Sequence, residues 1–213
     1  MSHKILNLPL GPLQTNCYVL GCTTTSKAAV IDPSWDGRLI FDRLTAEGWT
    51  LDKILLTHAH FDHVGGLAEL KRLADAPIYI HPEAVPMLAM AEAAGQLWGI
   101  GIEPCPPADQ LLEDEQIIPL GDLDLAVLYT PGHAPGHVCF HLSEHEVLFD
   151  GDVLFEGSIG RTDLPGGDYD LLLASIHNRL LPLPDSTHVL SGHGPATTIG
   201  NERRWNPFLV AYR

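Results

Sequence analysis

Four side chains that can bind a metal ion lie within six residues: His58, His60, Asp62 and His63. They directly follow Ile54-Leu55-Leu56, an all-apolar run typical of a buried strand. Because residues i and i+2 point the same way on extended chain, His58 and His60 can direct two imidazoles at one point. Asp62 and His63 then follow in the turn into the next helix. Neutral imidazoles with a carboxylate are the ligands expected for zinc or another first-row divalent ion.

Three later segments also place His or Asp beside glycine at the end of an apolar run. They carry His133 and His137 after residues 125–129, Asp152 after 147–149, and His193 after 188–190. Glycine lets the backbone turn sharply at such positions. Four strand ends with these side chains predict one edge of a sheet lined with ligands. The spacing leaves open whether His133 or His137 is the ligand, since both follow a glycine in one loop.

The elements that must position these residues alternate between strands and helices in both halves of the chain. The pattern predicts strands at 19–20, 28–31, 54–56, 78–80, 123–129, 138–142, 147–149 and 189–190. It predicts helices at 36–47, 65–73, 83–97, 168–180 and 201–210, with loops at 103–114 and 157–167. The class is therefore α/β or α+β. We expect a single domain over residues 1–213, because neither flank of the 103–114 loop is large enough to stand alone.

Composition excludes several classes of function. The chain has 213 residues, of which 45% are hydrophobic and 18% charged, as in globular proteins. Its net charge of −15 argues against nucleic acid as a partner, and no segment is apolar for long enough to span a membrane. The start of the chain does not read as a signal peptide, and the four cysteines form no CxxC pair. We therefore expect a cytoplasmic protein with reduced thiols.

In these motifs the chain resembles the metallo-β-lactamase fold superfamily. The resemblance rests on HxHxDH at 58–63, TPGH at 130–133, GD at 151–152 and GHG at 192–194, in the order of that family. It implies a four-layer αββα sandwich with two metal ions at one edge of the two sheets. It also implies that His58, His60 and His133 hold one ion, and that Asp62, His63 and His193 hold the other. Asp152 would bridge them, and His137 would be a supporting residue.

The residue at 152 narrows the implied activity. The zinc β-lactamases usually have cysteine there and are exported, whereas Asp152 without a signal peptide resembles glyoxalase II, the hydroxyacylglutathione hydrolases. The resemblance thus implies hydrolysis of an acyl thioester such as S-lactoylglutathione by two divalent ions. Zinc is the first expectation, with iron or manganese as alternatives, and Asp62 is the expected catalytic base. Arg161 falls where the larger enzymes have a lysine that meets glutathione, but it could equally pair with Asp163.

Other readings remain open at this point. One iron held by His58, His133 and Asp152 would suit a persulfide dioxygenase, and another ester or a lactone could be the substrate of a hydrolase. A purely structural site is disfavoured, because structural zinc is normally held by a closed set of Cys and His. Only 20 residues follow His193, and Gly194-Pro195 replaces a substrate-contacting tyrosine of the larger enzymes. These two departures leave open which thiol carries the acyl group, and the ligand types leave open which metal is native.

Overall fold

The computed structural model describes residues 2–210 and contains two six-stranded sheets, a small two-stranded sheet and the helices beside them. The described chain falls into two compact units. The first contains the residues up to Leu112 together with Pro119–Asp124, and the second contains Glu113–Ile118 together with the residues from Leu125 onward. The predicted mixture of strands and helices in both halves is confirmed. The expectation of one domain over residues 1–213 stays a prediction.

The first sheet positions the HxHxDH segment. Its strands, which neighbour one another in chain order, are β1 (His3–Leu10), β2 (Thr15–Cys22), β3 (Lys27–Ile31), β4 (Thr50–Leu55), β5 (Ile78–Ile80) and β6 (Gln110–Leu111). The pairs β1–β2 and β2–β3 are antiparallel, whereas the pairs from β3 to β6 are parallel. The carboxyl ends of β3 and β4 therefore lie side by side, with Ile31 opposite Leu55.

The helices of the first unit follow the predicted pattern closely. They are α1 (Gly37–Ala46), α2 (Phe61–Val64), α3 (Leu67–Ala74) and α4 (Val85–Leu97). Asp36 caps α1 by accepting a hydrogen bond from the Leu39 amide, which satisfies one of the unpaired donors at the helix start. A 3-10 turn at Pro82–Ala84 precedes α4, so the helix predicted at 83–97 begins at Val85.

The second sheet positions the remaining ligand candidates. Its strands, in spatial order, are β14 (Thr197–Thr198), β13 (His188–Ser191), β10 (Val147–Gly151), β9 (Val138–Leu142), β8 (Leu123–Tyr129) and β7 (Ile117–Leu120). β10 runs parallel to β13, and β9 runs antiparallel to both β8 and β10. The strands β8, β10 and β13 consequently end at the same edge of this sheet.

Three further helices belong to the second unit: α5 (Tyr169–Ser175), α6 (Ile199–Trp205) and α7 (Pro207–Val210). The chain continues from α5 into a π-helical turn at Ile176–Leu180, so the helix predicted to end near residue 180 is present with altered geometry. The helix predicted at 201–210 is divided. Asn206 is extended, with φ −67° and ψ 118°, because the ring of Pro207 disfavours helical backbone at the preceding residue.

The loops predicted at 103–114 and 157–167 each contain a two-residue strand. β6 lies in the first, and β12 (Ser158–Ile159) lies in the second, where it pairs with β11 (Leu154–Phe155). Strands this short leave no periodic signal in the sequence. Among the described residues, no helix combines the length and the apolar character that crossing a bilayer requires.

Candidate metal centre

The first unit places two histidine rings at the carboxyl end of β4. His58 Nε2 and His60 Nδ1 lie 3.0 Å apart, with the ring planes nearly perpendicular. The ring of His63 lies 4.1 Å from that of His58, measured between centroids. His58 and His63 are fully buried, and His60 is partly exposed at the start of α2. The extended chain before α2 thus brings the imidazoles together, as the i, i+2 spacing predicts.

Asp32, at the end of β3, fixes the orientation of two of these rings. Its Oδ2 accepts hydrogen bonds from Thr57 Oγ1 at 2.6 Å and from His63 Nδ1 at 2.9 Å. Since the single hydroxyl proton of Thr57 is donated to Asp32, Thr57 Oγ1 accepts from His58 Nδ1 at 3.0 Å. Both histidines therefore carry their proton on Nδ1 and present the lone pair of Nε2. Asp32, His58 and His63 place ligand-type atoms within 4.8 Å of one another.

Asp62 projects from the first turn of α2. Its Oδ2 accepts a hydrogen bond from Thr15 Oγ1 at 2.8 Å and lies 3.7 Å from His63 Nε2. The carboxylate keeps 13% of its surface exposed, which leaves it reachable from solvent. One carboxylate oxygen and one imidazole nitrogen of the first unit thus face the same point.

The second unit forms a separate group of candidate ligands around Asp152. Asp152 Oδ2 lies 3.6 Å from His133 Nε2 and also 3.6 Å from His193 Nε2. The chain reaches these positions from the ends of β8, β10 and β13, and Gly151 stands opposite Ser191 in the parallel register. The register shifts between Phe149 and Gly151, and Gly151 takes a φ of +57°, which glycine tolerates without a Cβ penalty. One carboxylate oxygen thus stands between two imidazole nitrogens.

The hydrogen bonds around His133 direct it toward Asp152. Its Nδ1 donates to the main-chain oxygen of Arg161 at 2.8 Å, so Nε2 carries the lone pair on the side of Asp152. The loop approaches so closely that a Cβ at Gly160 would overlap the carbonyl oxygen of Asp152. His137 differs, because both of its ring nitrogens take part in hydrogen bonds, to Thr130 Oγ1 and to the Asp152 amide, each at 3.1 Å. The geometry supports His133 as the ligand.

Asp150 lies beneath this group and is fully buried. Burial raises the pKa of its carboxyl well above the ordinary value, although hydrogen bonds from the Leu154 amide and the Cys139 thiol act in the opposite direction. Leu154 N donates to Asp150 Oδ2 at 2.6 Å, which ties the carboxyl to the start of β11. Asp150 is enclosed by the protein interior, and Asp152 two residues later carries the carboxylate that faces His133 and His193.

Arg161 makes a two-pronged ion pair on the surface. Its Nε and Nη2 donate to the two carboxylate oxygens of Asp163 at 2.7 and 2.8 Å. The hydrogen bond from Arg161 lowers the pKa of Asp163 to about 2. The structure therefore shows the pairing that the sequence offered as an alternative, while contact of Arg161 with substrate stays a prediction.

The donor atoms of both units suit divalent cations. Two ligands about 2.0–2.2 Å from one ion, at angles of about 90–120°, lie about 3 to 3.7 Å apart. The separations above, from 3.0 Å for His58 and His60 to 3.7 Å for Asp62 and His63, fall in that range. His58, His63 and His133 each donate through Nδ1 to an oxygen, the arrangement that orients a metal-binding imidazole. The residues present fit a metal-binding role.

The sequence predicts seven metal ligands, and in the structure these residues form two groups. His58, His60, Asp62 and His63 lie together in the first unit, and His133, Asp152 and His193 lie together in the second. The expectation of one sheet edge was correct for the second group only, because His58 follows a strand of the other sheet. Asp32 and Thr57 were missed. The signal that could have found them is the parallel pairing of β3 and β4, which aligns their carboxyl ends.

Comparisons with known proteins identify the family of the chain. The family profile described as "Metallo-beta-lactamase superfamily" matches residues 10–193. A relative described as "Probable metallo-hydrolase YqgX" from Bacillus subtilis is 44% identical over 98% of this chain and 99% of its own length. "Hydroxyacylglutathione hydrolase GloC" from Haemophilus influenzae is 38% identical over 95% of this chain and 96% of its own length.

Two solved structures share the fold. A structure described as the B3 metallo-β-lactamase BLEG-1 is 46% identical, with a TM-score of 0.90 over 97% of this chain and 99% of that one. A structure described as TTHA1623 in a di-iron-bound form is 43% identical, with a TM-score of 0.89 over 96% of this chain and 100% of that one. The predicted α/β fold of the metallo-β-lactamase type is thereby confirmed. The family match and the relative described as a metallo-hydrolase support a metal-dependent hydrolase. The family match over residues 10–193 and the 44% identity to a relative over 98% of this chain show that the chain belongs to the metallo-β-lactamase superfamily.

Proposed function

We propose that this chain hydrolyses an acyl thioester, such as S-lactoylglutathione, at a centre of two divalent metal ions. The observation that carries the proposal is the position of Asp152 Oδ2, 3.6 Å from both His133 Nε2 and His193 Nε2. A carboxylate between two imidazoles suits a ligand shared by two ions, whereas a single closed site would not need it. The similarity to a relative described as a hydroxyacylglutathione hydrolase supports the thioester as substrate.

The proposed ligands come from both groups. His58, His60 and His133 would hold one ion, Asp62, His63 and His193 would hold the other, and Asp152 would be a ligand shared by both. Zinc is the first candidate for both positions, and iron and manganese suit the same imidazole and carboxylate ligands. The relative described as di-iron-bound supports including iron in the test.

Divalent ions held by these residues would supply a nucleophile at neutral pH, since such ions lower the pKa of bound water to about 7. The protein side chains do the rest of the chemistry. Asp62, held by Thr15 Oγ1, orients the attacking water and accepts its proton as the bond to the carbonyl carbon forms. Asp32 and Thr57 keep His58 and His63 in the tautomers that present Nε2.

The leaving group explains why a thioester suits this site better than an amide. A departing thiolate has a conjugate-acid pKa of about 8.5, so the C–S bond can break without a strong general acid. An amide would need its nitrogen protonated. The histidines of the two groups are already engaged as ligands or in hydrogen bonds, and Arg161 does not release a proton at neutral pH.

Charge sets a further condition on the substrate. A chain of net charge −15 repels an anionic thioester at long range. Local cations must therefore attract it within about 8 Å at physiological salt. The bound ions and Arg161 are the cations that we propose for this role. A small-molecule substrate is accordingly proposed, with neither nucleic acid nor a membrane as partner.

We also propose a cytoplasmic location and a single folding domain. All four cysteines are free thiols in the structure, which supports a reducing compartment. One cooperative unfolding transition of the metal-free protein in calorimetry would support a single domain. Two separate transitions, assigned to the two compact units, would overturn it.

The test of the proposed function uses purified protein loaded separately with zinc, iron and manganese. S-lactoylglutathione should be consumed, with loss of thioester absorbance, and elemental analysis should find two ions per chain. Asp62→Asn should lower kcat by at least about 100-fold, as removal of a general base does. Asp42→Asn, which changes an exposed residue paired with Arg38, is the matched control and should leave kcat unchanged.

Parallel assays with a cephalosporin, a lactone and glutathione persulfide decide between substrates. Faster turnover of the cephalosporin, which the likeness to a B3 metallo-β-lactamase makes a necessary comparison, would replace the thioester by a β-lactam. One iron per chain, with oxygen uptake on glutathione persulfide, would replace hydrolysis by persulfide oxidation. No turnover of any thioester with any of the three metals would remove the proposal.

A further inference from the structure

His137 is a fully buried histidine whose two ring nitrogens connect different parts of the second unit. Its Nε2 lies 3.1 Å from the main-chain nitrogen of Asp152, and its Nδ1 lies 3.1 Å from Thr130 Oγ1. The ring stands nearly perpendicular to that of His133, with 6.1 Å between their centroids. His137 therefore contacts Asp152 through the main-chain nitrogen of that residue.

The main-chain amide of Asp152 determines the direction of each hydrogen bond that His137 makes. A backbone amide can only donate, so His137 Nε2 accepts from Asp152 N–H. The proton of the neutral ring is then on Nδ1, which donates to Thr130 Oγ1. Thr130 Oγ1 in turn lies 3.3 Å from Cys139 Sγ, and the Cys139 thiol is shared between the carbonyl oxygen of Asp150 at 3.3 Å and its carboxylate oxygen Oδ1 at 3.6 Å. The chain of bonds begins and ends on the segment that carries Asp152.

The strand pairing of this segment is irregular just before Asp152. The β10–β13 register shifts between Phe149 and Gly151, and Gly151 has a left-handed φ of +57°. The Asp152 amide therefore does not continue the regular ladder and is bonded to His137 instead. On the other side, Gly160 packs against the Asp152 carbonyl. The two contacts hold the peptide units on both sides of the Asp152 Cα.

We propose that His137 is a positioning residue for the bridging carboxylate, and that binding of the second metal ion depends on the hydrogen-bond acceptor at its Nε2. The inference rests on the proposed two-metal centre but not on the identity of the substrate. Loss of this acceptor leaves the Asp152 amide without its buried partner, and the carboxylate moves away from the point that it shares between His133 and His193. Outer hydrogen-bond partners of this type typically change metal affinity by about 10- to 100-fold.

Two variants of similar polarity separate the acceptor from the rest of the ring. In His137→Gln the side-chain oxygen reaches the place of Nε2 and can accept from Asp152 N–H. In His137→Asn the shorter amide reaches only the place of Nδ1, where it can donate to Thr130. Both variants remove the imidazole, and the shorter Asn leaves the larger gap at this buried position. The unfolding midpoint of the metal-free protein reports that difference in packing, so metal affinity can be compared separately from it.

The measurement is zinc affinity and stoichiometry, by chelator competition and elemental analysis, with the unfolding midpoint of the metal-free protein recorded for each variant. We expect His137→Asn to bind the second ion at least about 10-fold more weakly than wild type, and His137→Gln to stay within about threefold of it. Equal affinity in the two variants, or two tightly bound ions in His137→Asn, would overturn the proposal.

A third variant keeps the test decisive where the histidine variants do not fold. Thr130→Val preserves the shape of the side chain but removes the acceptor for Nδ1, which frees the ring to change tautomer. It should weaken the second ion severalfold, and unchanged affinity would count against the proposal. A protein that holds two ions but turns over no thioester would overturn the proposed substrate and leave the role of His137 intact.

Discussion

Asp32 and His63, which are 31 positions apart in the chain, meet through a 2.9 Å hydrogen bond from His63 Nδ1 to Asp32 Oδ2. The same oxygen accepts from Thr57 Oγ1, which in turn accepts from His58 Nδ1. One buried carboxylate thus determines which nitrogen of two candidate metal ligands carries the proton. Asp32 takes a left-handed φ of +50°, which turns its side chain from the end of β3 toward the loop after β4.

The first prediction concerns this carboxylate. Asp32→Asn keeps the size of the side chain but replaces one of the two carboxylate oxygens by an NH2 group, which donates hydrogen bonds and cannot accept them. His58 and His63 should lose their fixed tautomers, and zinc affinity should fall by about 10- to 100-fold. Chelator competition measures the change. Asp42→Asn, on the exposed side of α1, serves as the control and should bind zinc like the wild type.

The clustering of ligands after β4 could be predicted from the sequence because it is local. His58, His60, Asp62 and His63 follow one apolar strand, and the i, i+2 rule requires no knowledge of the fold. The role of Asp32 could not be predicted in this way. It depends on the parallel pairing of β3 with β4 across the intervening helix α1, which no short-range pattern encodes.

The choice between His133 and His137 shows a second limit of sequence reasoning. Both follow a glycine in one loop, so their spacing does not show which of them is the metal ligand. The structure distinguishes them by their hydrogen bonds, because His133 donates through Nδ1 to the Arg161 carbonyl and directs Nε2 at Asp152, whereas His137 bonds Thr130 and the Asp152 amide through its two ring nitrogens. Such partners come from Arg161 and Asp152, which lie 28 and 15 positions away.

The second prediction addresses Arg161. If Arg161 contacts an anionic thioester, Arg161→Ala should raise KM for S-lactoylglutathione severalfold and leave kcat nearly unchanged, since uniform binding of substrate and transition state is lost. Asp163→Asn should lower KM, because the guanidinium is released from its ion pair. Steady-state kinetics at two salt concentrations measure both effects. Unchanged KM in both variants would assign Arg161 to the ion pair alone.

The third prediction uses the pH dependence of stability. Asp52 accepts ion pairs from Lys27 and from the buried Lys53, each at 2.8 Å. Burial raises the pKa of Asp52, but the hydrogen bonds from the two lysines outweigh it, and the net effect lowers the pKa below the ordinary value. The folded state therefore binds the Asp52 proton more weakly than the unfolded state does. The resulting stability is present above about pH 4 and is lost as pH falls through the lowered pKa.

Asp52→Asn tests this linkage. At pH 7 it should cost about 1–2 kcal/mol of unfolding free energy, because the Lys53 ammonium loses its charged partner in a largely buried position. The difference from wild type should shrink between about pH 5 and pH 3, as wild-type Asp52 becomes protonated. Urea denaturation at several pH values measures it. A difference that stays constant over this range would assign the effect to packing instead of charge.

The last prediction concerns Gly160, where the loop after β12 meets the candidate metal centre. A Cβ at this position would overlap the Asp152 carbonyl oxygen and lie 3.2 Å from His133 Nδ1. Gly160→Ala should therefore displace the loop, weaken the hydrogen bond from His133 to the Arg161 carbonyl, and cost about 1–3 kcal/mol, as overpacking typically does. Zinc affinity should fall in the same variant, because His133 loses its fixed orientation.

Gly101→Ala is the control, since a Cβ there meets no atom within 4 Å and the φ is not positive. Equal unfolding midpoints and zinc affinities in the two variants would show that the loop yields freely and does not position His133.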